Sequence, residues 1–579
     1  MLPTSNGIRF SISDLSPPLA RIVPTLYQDR AGISLYDVQY QPGSDTRQSI
    51  PADIQHQVIS RLLRFKETCA DFSVPSTNIH VLATEATRTA PNSVQFRNEV
   101  KTATGWEIRM LSKEDEGRIG ALGIASSLSN VQGLVMDLGG GSTQITWLLA
   151  KDGSVKTNPK GSISFPYGAA ALTRRLEEAK VKGDAGIGEL QNEMTARFRG
   201  AYEELAVPNE LSSLADQNGG YDLYLSGGGF RGWGYLLMSR SKVYPYPIPT
   251  INGFKAERSD FQDTVTVLSS VDPKIFRVSE RRAAQVPAVA FLINVLTAAL
   301  PMIKNIHFCQ GGVREGFLFD NLTSEIRVQD PLVVATTPYQ TASAETISQL
   351  LSHALPSSSS NLLPPASFTP QLLRSFANLI YEHSSVPKDA RPAAALHTAT
   401  TGLLASAHGI SHTDRALISL MLCARWPGDL PPSEESLLLR LRQIVSMREA
   451  WWCRYLGRVA ALTGEFYPAG VIRDIPRFEF RAEFVAGNEE KEKKKGVGEV
   501  MELTVVIPPK VDARTYVDKE VLKEGMRKVE KVGKKKNWIK ASERVDRSER
   551  LGGDWGLKVK VVLERGVELE FRSWAYIAI

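Results

Sequence analysis

The stretch Asp137-Leu138-Gly139-Gly140-Gly141-Ser142-Thr143-Gln144 limits what this chain can fold into more than any other. An apolar run from Gly133 to Met136 leads into it, and a second, Ile145 to Leu149, leads out. A carboxylate at a strand end, three glycines and two hydroxyls describe a phosphate-handling turn between two strands. Glycine lets the backbone take positive φ and lets successive N–H groups crowd around an anion. On this reading Asp137 holds a divalent ion against the anion, directly or through water. A plain hairpin turn is the alternative, although three consecutive glycines exceed what a hairpin requires.

Two stretches stand upstream of the loop. Ala83-Thr84-Glu85-Ala86-Thr87-Arg88 precedes an amphipathic helix with Phe96 and Val100, and Leu111-Ser112-Lys113-Glu114-Asp115-Glu116-Gly117-Arg118 opens a helix. Two more follow it, Ser226-Gly227-Gly228-Gly229-Phe230-Arg231 and Gly311-Gly312-Val313-Arg314-Glu315-Gly316. In this order they resemble the exopolyphosphatase/guanosine-pentaphosphate phosphohydrolase (Ppx/GppA) family, a branch of the actin-like ATPase superfamily. That family shows an Ala-Thr-x-x-x-Arg, a Ser-Gly-x-x-Glu-Ala-Arg-like and an Asp-x-Gly-Gly-Gly-Ser segment at about this spacing. The resemblance covers residues 4–325 well and the rest weakly. Residues 5–12, Gln144 and residues 226–234 look most like the family's fungal retrograde-regulation group, regulators of mitochondria-to-nucleus signalling.

The resemblance implies an α/β fold of two ribonuclease-H-like (actin-like ATPase) lobes with a cleft between them. The organisation expected is a first lobe over 1–150 and a second over 151–330. A mainly helical, degenerate HD-like region over 331–470 and a small α+β, basic C-terminal domain over 471–579 would follow. The Ser- and Pro-rich segment 357–370 reads as a linker, and Phe478, Phe480, Leu503, Val505, Leu557–Leu563, Leu569 and Phe571 as terminal strands. In the helical region Thr398 stands where a metal-binding HD pair needs an aspartate, so a scaffold is expected there.

The chemistry such a cleft supports is attack of water on a terminal phosphoryl group. The family pattern makes Glu116 the water-orienting base and Asp137 the metal-linked carboxylate, with Mg2+ as the implied ion. Gly139, Gly140, Gly141, Ser142 and Thr143 would cradle phosphate, and Arg88 would clamp it bidentately. Asn6 and Arg9 match the first phosphate loop, and Gly227, Gly228 and Gly229 would face nucleotide or distal phosphates. Two plainer readings stay open: Glu116 as a first-turn carboxylate favoured by the helix dipole, and Arg88 as a surface arginine.

Three departures weaken the case for efficient hydrolysis. The family's first strand ends Asp-x-Gly-Ser-Asn, whereas this chain starts Met1-Leu2-Pro3-Thr4-Ser5-Asn6, so most of that strand is expected to be missing. Gln144 replaces a glutamate, and a neutral amide neither binds metal nor takes a proton as a carboxylate does. Ser112-Lys113 replaces Ser-Gly. Phosphate or nucleotide binding survives all three.

No apolar run reaches the length of a membrane span, and the start lacks the pattern of a signal peptide. Four scattered cysteines read as buried thiols in a reducing compartment, so a cytoplasmic protein is expected. The net charge of +6 gathers late, at Lys491, Lys493–Lys495 and Lys534–Lys536. That tail could touch a polyanion, or be a solvated loop. The function expected is a regulator of retrograde signalling that binds ATP or a polyphosphate-like ligand. A protein partner is expected with it, a homodimer is left open, and no membrane or specific nucleic acid is involved. An active exopolyphosphatase or guanosine-pentaphosphate phosphohydrolase is the alternative.

Overall fold

The computed structural model describes residues 2–4, 7–40, 46–151, 154–269, 280–357, 362–473, 476–486, 499–508, 517–545 and 550–565. Asn6, Lys491, Lys493–Lys495, Leu569 and Phe571 lie outside the described residues. The chain divides into two compact units. The first comprises residues 1–241, 250–334 and 406–412, and the second residues 242–249, 335–405 and 413–579.

In the first unit β1 (Leu2–Thr4), β2 (Gly7–Ser13) and β3 (Thr25–Ala31) form an antiparallel sheet in that order. Ile8, Phe10 and Ile12 alternate inward from β2. They meet Val58, Leu62, Phe65 and Cys69, which recur at helical spacing along the helix Ala52–Asp71 and make its buried face. Phe10 and Phe65 touch ring to ring, centroids 5.1 Å apart. Two short parallel strands, β4 (Val81–Ala83) and β5 (Ile108–Met110), pair separately.

The larger sheet holds β6 (Val131–Leu138), β7 (Thr143–Lys151), β8 (Ser154–Thr157), β9 (Ile163–Phe165), β10 (Tyr221–Ser226), β11 (Phe254–Glu257) and β12 (Ile303–Phe308). Its order is β11-β12-β10-β6-β7-β8, with β9 also on β7. β12, β10 and β6 run parallel. β6 is buried on both faces, as its near-continuous apolar sequence demands of a central strand. The glycine hairpin β6–β7, grouped from sequence with the first 150 residues, therefore hydrogen-bonds into the same sheet as β10 and β12.

Two helices in this unit meet backbone to backbone. A Cβ on Gly316 would sit 1.8 Å from the Ile119 carbonyl oxygen, and one on Gly123 would sit 2.2 Å from that of Gly312. The glycines thus fix the helix Lys113–Ser126 against the helix Val313–Asp320. One carries Glu116 and the other Arg314 and Glu315.

The second unit is helical up to Phe466 and then combines strands with the helix Lys519–Glu530. β13 (Glu479–Ala486) and β14 (Glu499–Ile507) pair antiparallel, and β15 (Val559–Arg565) joins β14 in parallel. The helix Met447–Phe466 is its axis, capped by Ser446 and Glu449 in a reciprocal box, with Trp451, Trp452 and Tyr455 fully buried. Among the described residues no helix is long and apolar enough to cross a membrane.

Candidate functional site

The glycine loop is a tight turn, with Gly139 N donating to Ser142 O at 3.0 Å. Its carbonyls are taken up by the start of the helix Ala169–Val181. Ala169 N donates to Gly139 O (2.9 Å), Ala170 N and Ala171 N to Gly140 O (2.9 and 3.0 Å), and Gly168 N to Gly141 O (3.2 Å). This satisfies helix amides that would otherwise lack partners. In a trans peptide the N–H points opposite the preceding carbonyl. The N–H groups of Gly140, Gly141 and Ser142 are therefore aimed away from the helix. At Gly141 a Cβ would sit 2.9 Å from the Tyr36 ring and 3.2 Å from Glu85 Oε2, which is why glycine is needed there.

Asp137 ends β6 opposite Gln144 on β7. It accepts a hydrogen bond from the Ser226 hydroxyl, and Thr143 Oγ1 donates to its carbonyl at 2.8 Å. The Gln144 amide donates to Ser142 Oγ (2.8 Å) and Ser164 Oγ (3.2 Å). Gly227 (φ +92°) and Gly229 crowd the end of β6. A Cβ on the first would sit 2.3 Å from Leu138 O, and one on the second 2.4 Å from the Leu138 side chain. Close packing accounts for both glycines without a ligand, and Gly228 opens the helix Gly228–Ser239 beside them.

Glu116 lies one turn into its helix, whose N-cap Ser112 accepts from Asp115 N at 3.0 Å. Arg88 Nη2 meets Glu116 Oε2 at 3.3 Å, and Arg88 also donates to Leu111 O. So the Arg88 guanidinium is tied to Glu116 and to the backbone at Leu111. Burial pushes the Glu116 carboxyl up to about 7. Arg88 pulls it down, while Glu85 and Asp137 push it further up. A carboxyl with that value near neutral pH is suited to proton transfer.

Because folding raises its pKa, Glu116 binds its proton more tightly in the folded chain. Its contribution to stability is full below the unfolded value near 4.5 and is lost as pH rises through about 7. Glu116→Gln should remove a pH dependence of about 2–3 kcal/mol. Urea unfolding of both proteins at pH 5 and pH 8 measures it. An unchanged difference between the two pH values would refute the burial of an ionisable Glu116.

Three arginines of the first unit lie close enough for their charges to act on one another. Arg9, from β2, is lowered to about 9 by burial and by the charges of Arg231, Arg314 and Arg30, with Glu315 opposing. Arg231 donates to Gly227 O (3.2 Å) and Gln310 O (3.4 Å). Arg314 Nε donates to Glu315 Oε1 at 2.9 Å, while its Nη1 is buried with no partner among the described residues. Burial alone would push Glu315 up, but Arg314, His408 and the Gly312 N–H hold it down at about 2. Arg9 and Arg314 thus act on Glu315, with Arg231 acting on Arg9, so this cluster by itself carries an excess of positive charge. The sequence reading named Arg9 and missed Arg231 and Arg314, although each sits in a glycine motif it had singled out.

The Ppx/GppA phosphatase family model matches residues 18–325, and a model described as the RTG2 C-terminal domain matches residues 330–566. The chain is 41% identical over 486 residues to Retrograde regulation protein 2 of Saccharomyces cerevisiae, covering 81% of each chain. It is 27% identical over 249 residues to Exopolyphosphatase 1 of Mycobacterium tuberculosis, 42% of this chain and 67% of that one. Among solved structures, the Aquifex aeolicus Ppx/GppA family member aligns with TM-score 0.43 and 22% identity, over 56% of this chain and 97% of its own.

Proposed function

The chain belongs to the Ppx/GppA phosphatase family, and from that premise we propose that it is a ligand-binding regulator of mitochondria-to-nucleus signalling. Its first unit would bind ATP or a polyphosphate-like anion. The observations that carry this are the glycine turn that follows Asp137 and, in the same unit, the guanidinium cluster of Arg9, Arg231 and Arg314 around Glu315. The name of the yeast relative supports the signalling role.

The loop N–H groups and the Ser142 hydroxyl would hold the terminal phosphate, and the three arginines the phosphates beyond it. Mg2+ commonly binds through one or two carboxylates plus phosphate oxygens. Asp137 suits that role, and among the described residues no group of three His, Cys, Asp or Glu offers an all-protein cage. The ion would neutralise phosphate charge when bound. A regulatory protein partner would read the ligand-bound form through a shifted equilibrium between conformers.

Hydrolysis is the second reading, favoured by one observation, the Glu116 carboxyl held at about 7. Glu116 would accept the proton of an attacking water, and Arg88 would fix its orientation. Titration of the full-length chain with magnesium-ATP and with tripolyphosphate by calorimetry tests the main reading. A saturable heat from at least one is expected, and its absence from both would refute ligand binding.

A further inference from the structure

The second unit contains a guanidinium with no salt-bridge partner among the described residues. Arg425 closes the helix His412–Arg425 and is only 6% exposed. Among the described residues it makes no hydrogen bond to protein, and its Nε is wholly buried without a partner. The guanidinium packs against the Trp426 ring, its carbon 4.2 Å from the centroid. It also packs against the helix Met447–Phe466, where a Cβ on Gly464 would sit 2.0 Å from Nη2. A glycine one turn from the helix end thus makes the slot in which this charge lies.

Most of the groups around the slot are cations or can donate a hydrogen bond. Arg391 stands over the same ring at 4.9 Å, with Nε and Nη2 directed to Val386 O (2.9 Å) and Ser384 O (2.7 Å). Arg458 is half-buried and close enough for its charge to act on Arg425. The Tyr381 oxygen and the Trp426 indole N–H are buried and have no partner. The carboxylate whose charge reaches Arg425 is Glu465, and it pairs with Lys528 at 3.5 Å.

Burying a charge without a partner costs several kcal/mol, and native structures leave few buried donors unsatisfied. A set of groups that is mainly cationic or donating is the complement of an oxyanion. Guanidinium forks in particular match phosphate oxygens.

We propose that Arg425, Arg391 and Arg458, with the Tyr381 hydroxyl and the Trp426 indole N–H, form a second anion site that takes the phosphate group of a small molecule. This site lies in the second unit and is independent of the glycine turn.

The test uses the full chain labelled with 5-fluorotryptophan. The Trp426 fluorine resonance is identified by its loss in Trp426→Phe. Pyrophosphate and ATP are titrated separately, with potassium chloride at matched ionic strength as the control. A saturable shift of that resonance is expected. Pyrophosphate acting at the lower concentration marks an inorganic source, and ATP at the lower concentration a nucleotide. Arg425→Met should abolish the shift. Tyr381→Phe removes one hydroxyl only and should weaken binding about threefold or more, which keeps the test decisive if Arg425→Met does not fold. The proposal is overturned if neither anion gives a saturable shift, or if chloride reproduces it. It is also overturned if Arg425→Met keeps the shift, or if Tyr381→Phe binds with unchanged affinity.

Discussion

Arg231→Met will weaken tripolyphosphate binding at the first unit about ten- to hundredfold. A hydrogen bond to a charged group contributes about 1.5–3 kcal/mol, and each 1.4 kcal/mol is about tenfold in affinity. Arg231 suits the test because its own bonds go to two carbonyls, Gly227 O and Gln310 O, and not to a buried carboxylate. Removing Arg314 would instead leave Glu315 as an unpaired buried charge and confuse binding with folding. The measurement is calorimetry in an Arg425→Met background, so that only the first unit's site reports. A melting curve shows whether the loss of the two carbonyl bonds has disturbed the fold. Raising the salt should narrow the difference between the parent and the variant, because exposed charge–charge attraction is screened. Affinity within twofold of the parent would move the phosphates away from the arginine cluster.

What was legible in the sequence is what is contiguous along the chain. The turn Asp137–Thr143 and the helix start at Glu116 carry their chemistry in neighbouring residues, so a short motif reveals them. The arginine cluster does not, because Arg9, Arg231 and Arg314 become one group only when β2 comes to lie beside two helix starts far away in sequence. Nor does the sequence announce that Gly227 and Gly229 pack against Leu138. Tertiary contact also shapes the stretch Ile33–Gln39. That stretch ends in a 3-10 turn, Asp37–Gln39, and the buried Gln39 amide reaches back to Ala86 O at 2.8 Å. Arg425 was invisible for the opposite reason. Its significance lies in a missing acceptor, and no pattern of residues along a chain announces what is absent around a side chain.

Gln144→Glu should raise magnesium-dependent phosphate release from tripolyphosphate at least tenfold over the chain as it stands. Gln144 lies across the β6–β7 ladder from Asp137, at the mouth of the turn. Its amide donates to the hydroxyls of Ser142 and Ser164. A carboxylate would accept from the same two hydroxyls, since each can donate or accept, so the local network survives the exchange. What changes is the charge. A second carboxylate beside Asp137 supplies the oxygen donor that a magnesium–phosphate complex prefers over a neutral amide, and a better-held ion stabilises the charge that develops as the terminal phosphoryl leaves. The gain must run through Glu116 if that residue orients the water. Adding Glu116→Gln to the variant should therefore cost about 10²–10⁴-fold, the usual range for a positioned base. The two substitutions separate two causes of a quiet active site. Release that rises with Gln144→Glu and falls with Glu116→Gln leaves a hydrolytic apparatus limited by one side chain. Release that stays flat in Gln144→Glu, with ligand still bound, locates the limit elsewhere and leaves binding alone as the output of this fold. Release that persists undiminished in the double variant removes Glu116 from the chemistry, and its raised pKa is then a consequence of burial and nothing more.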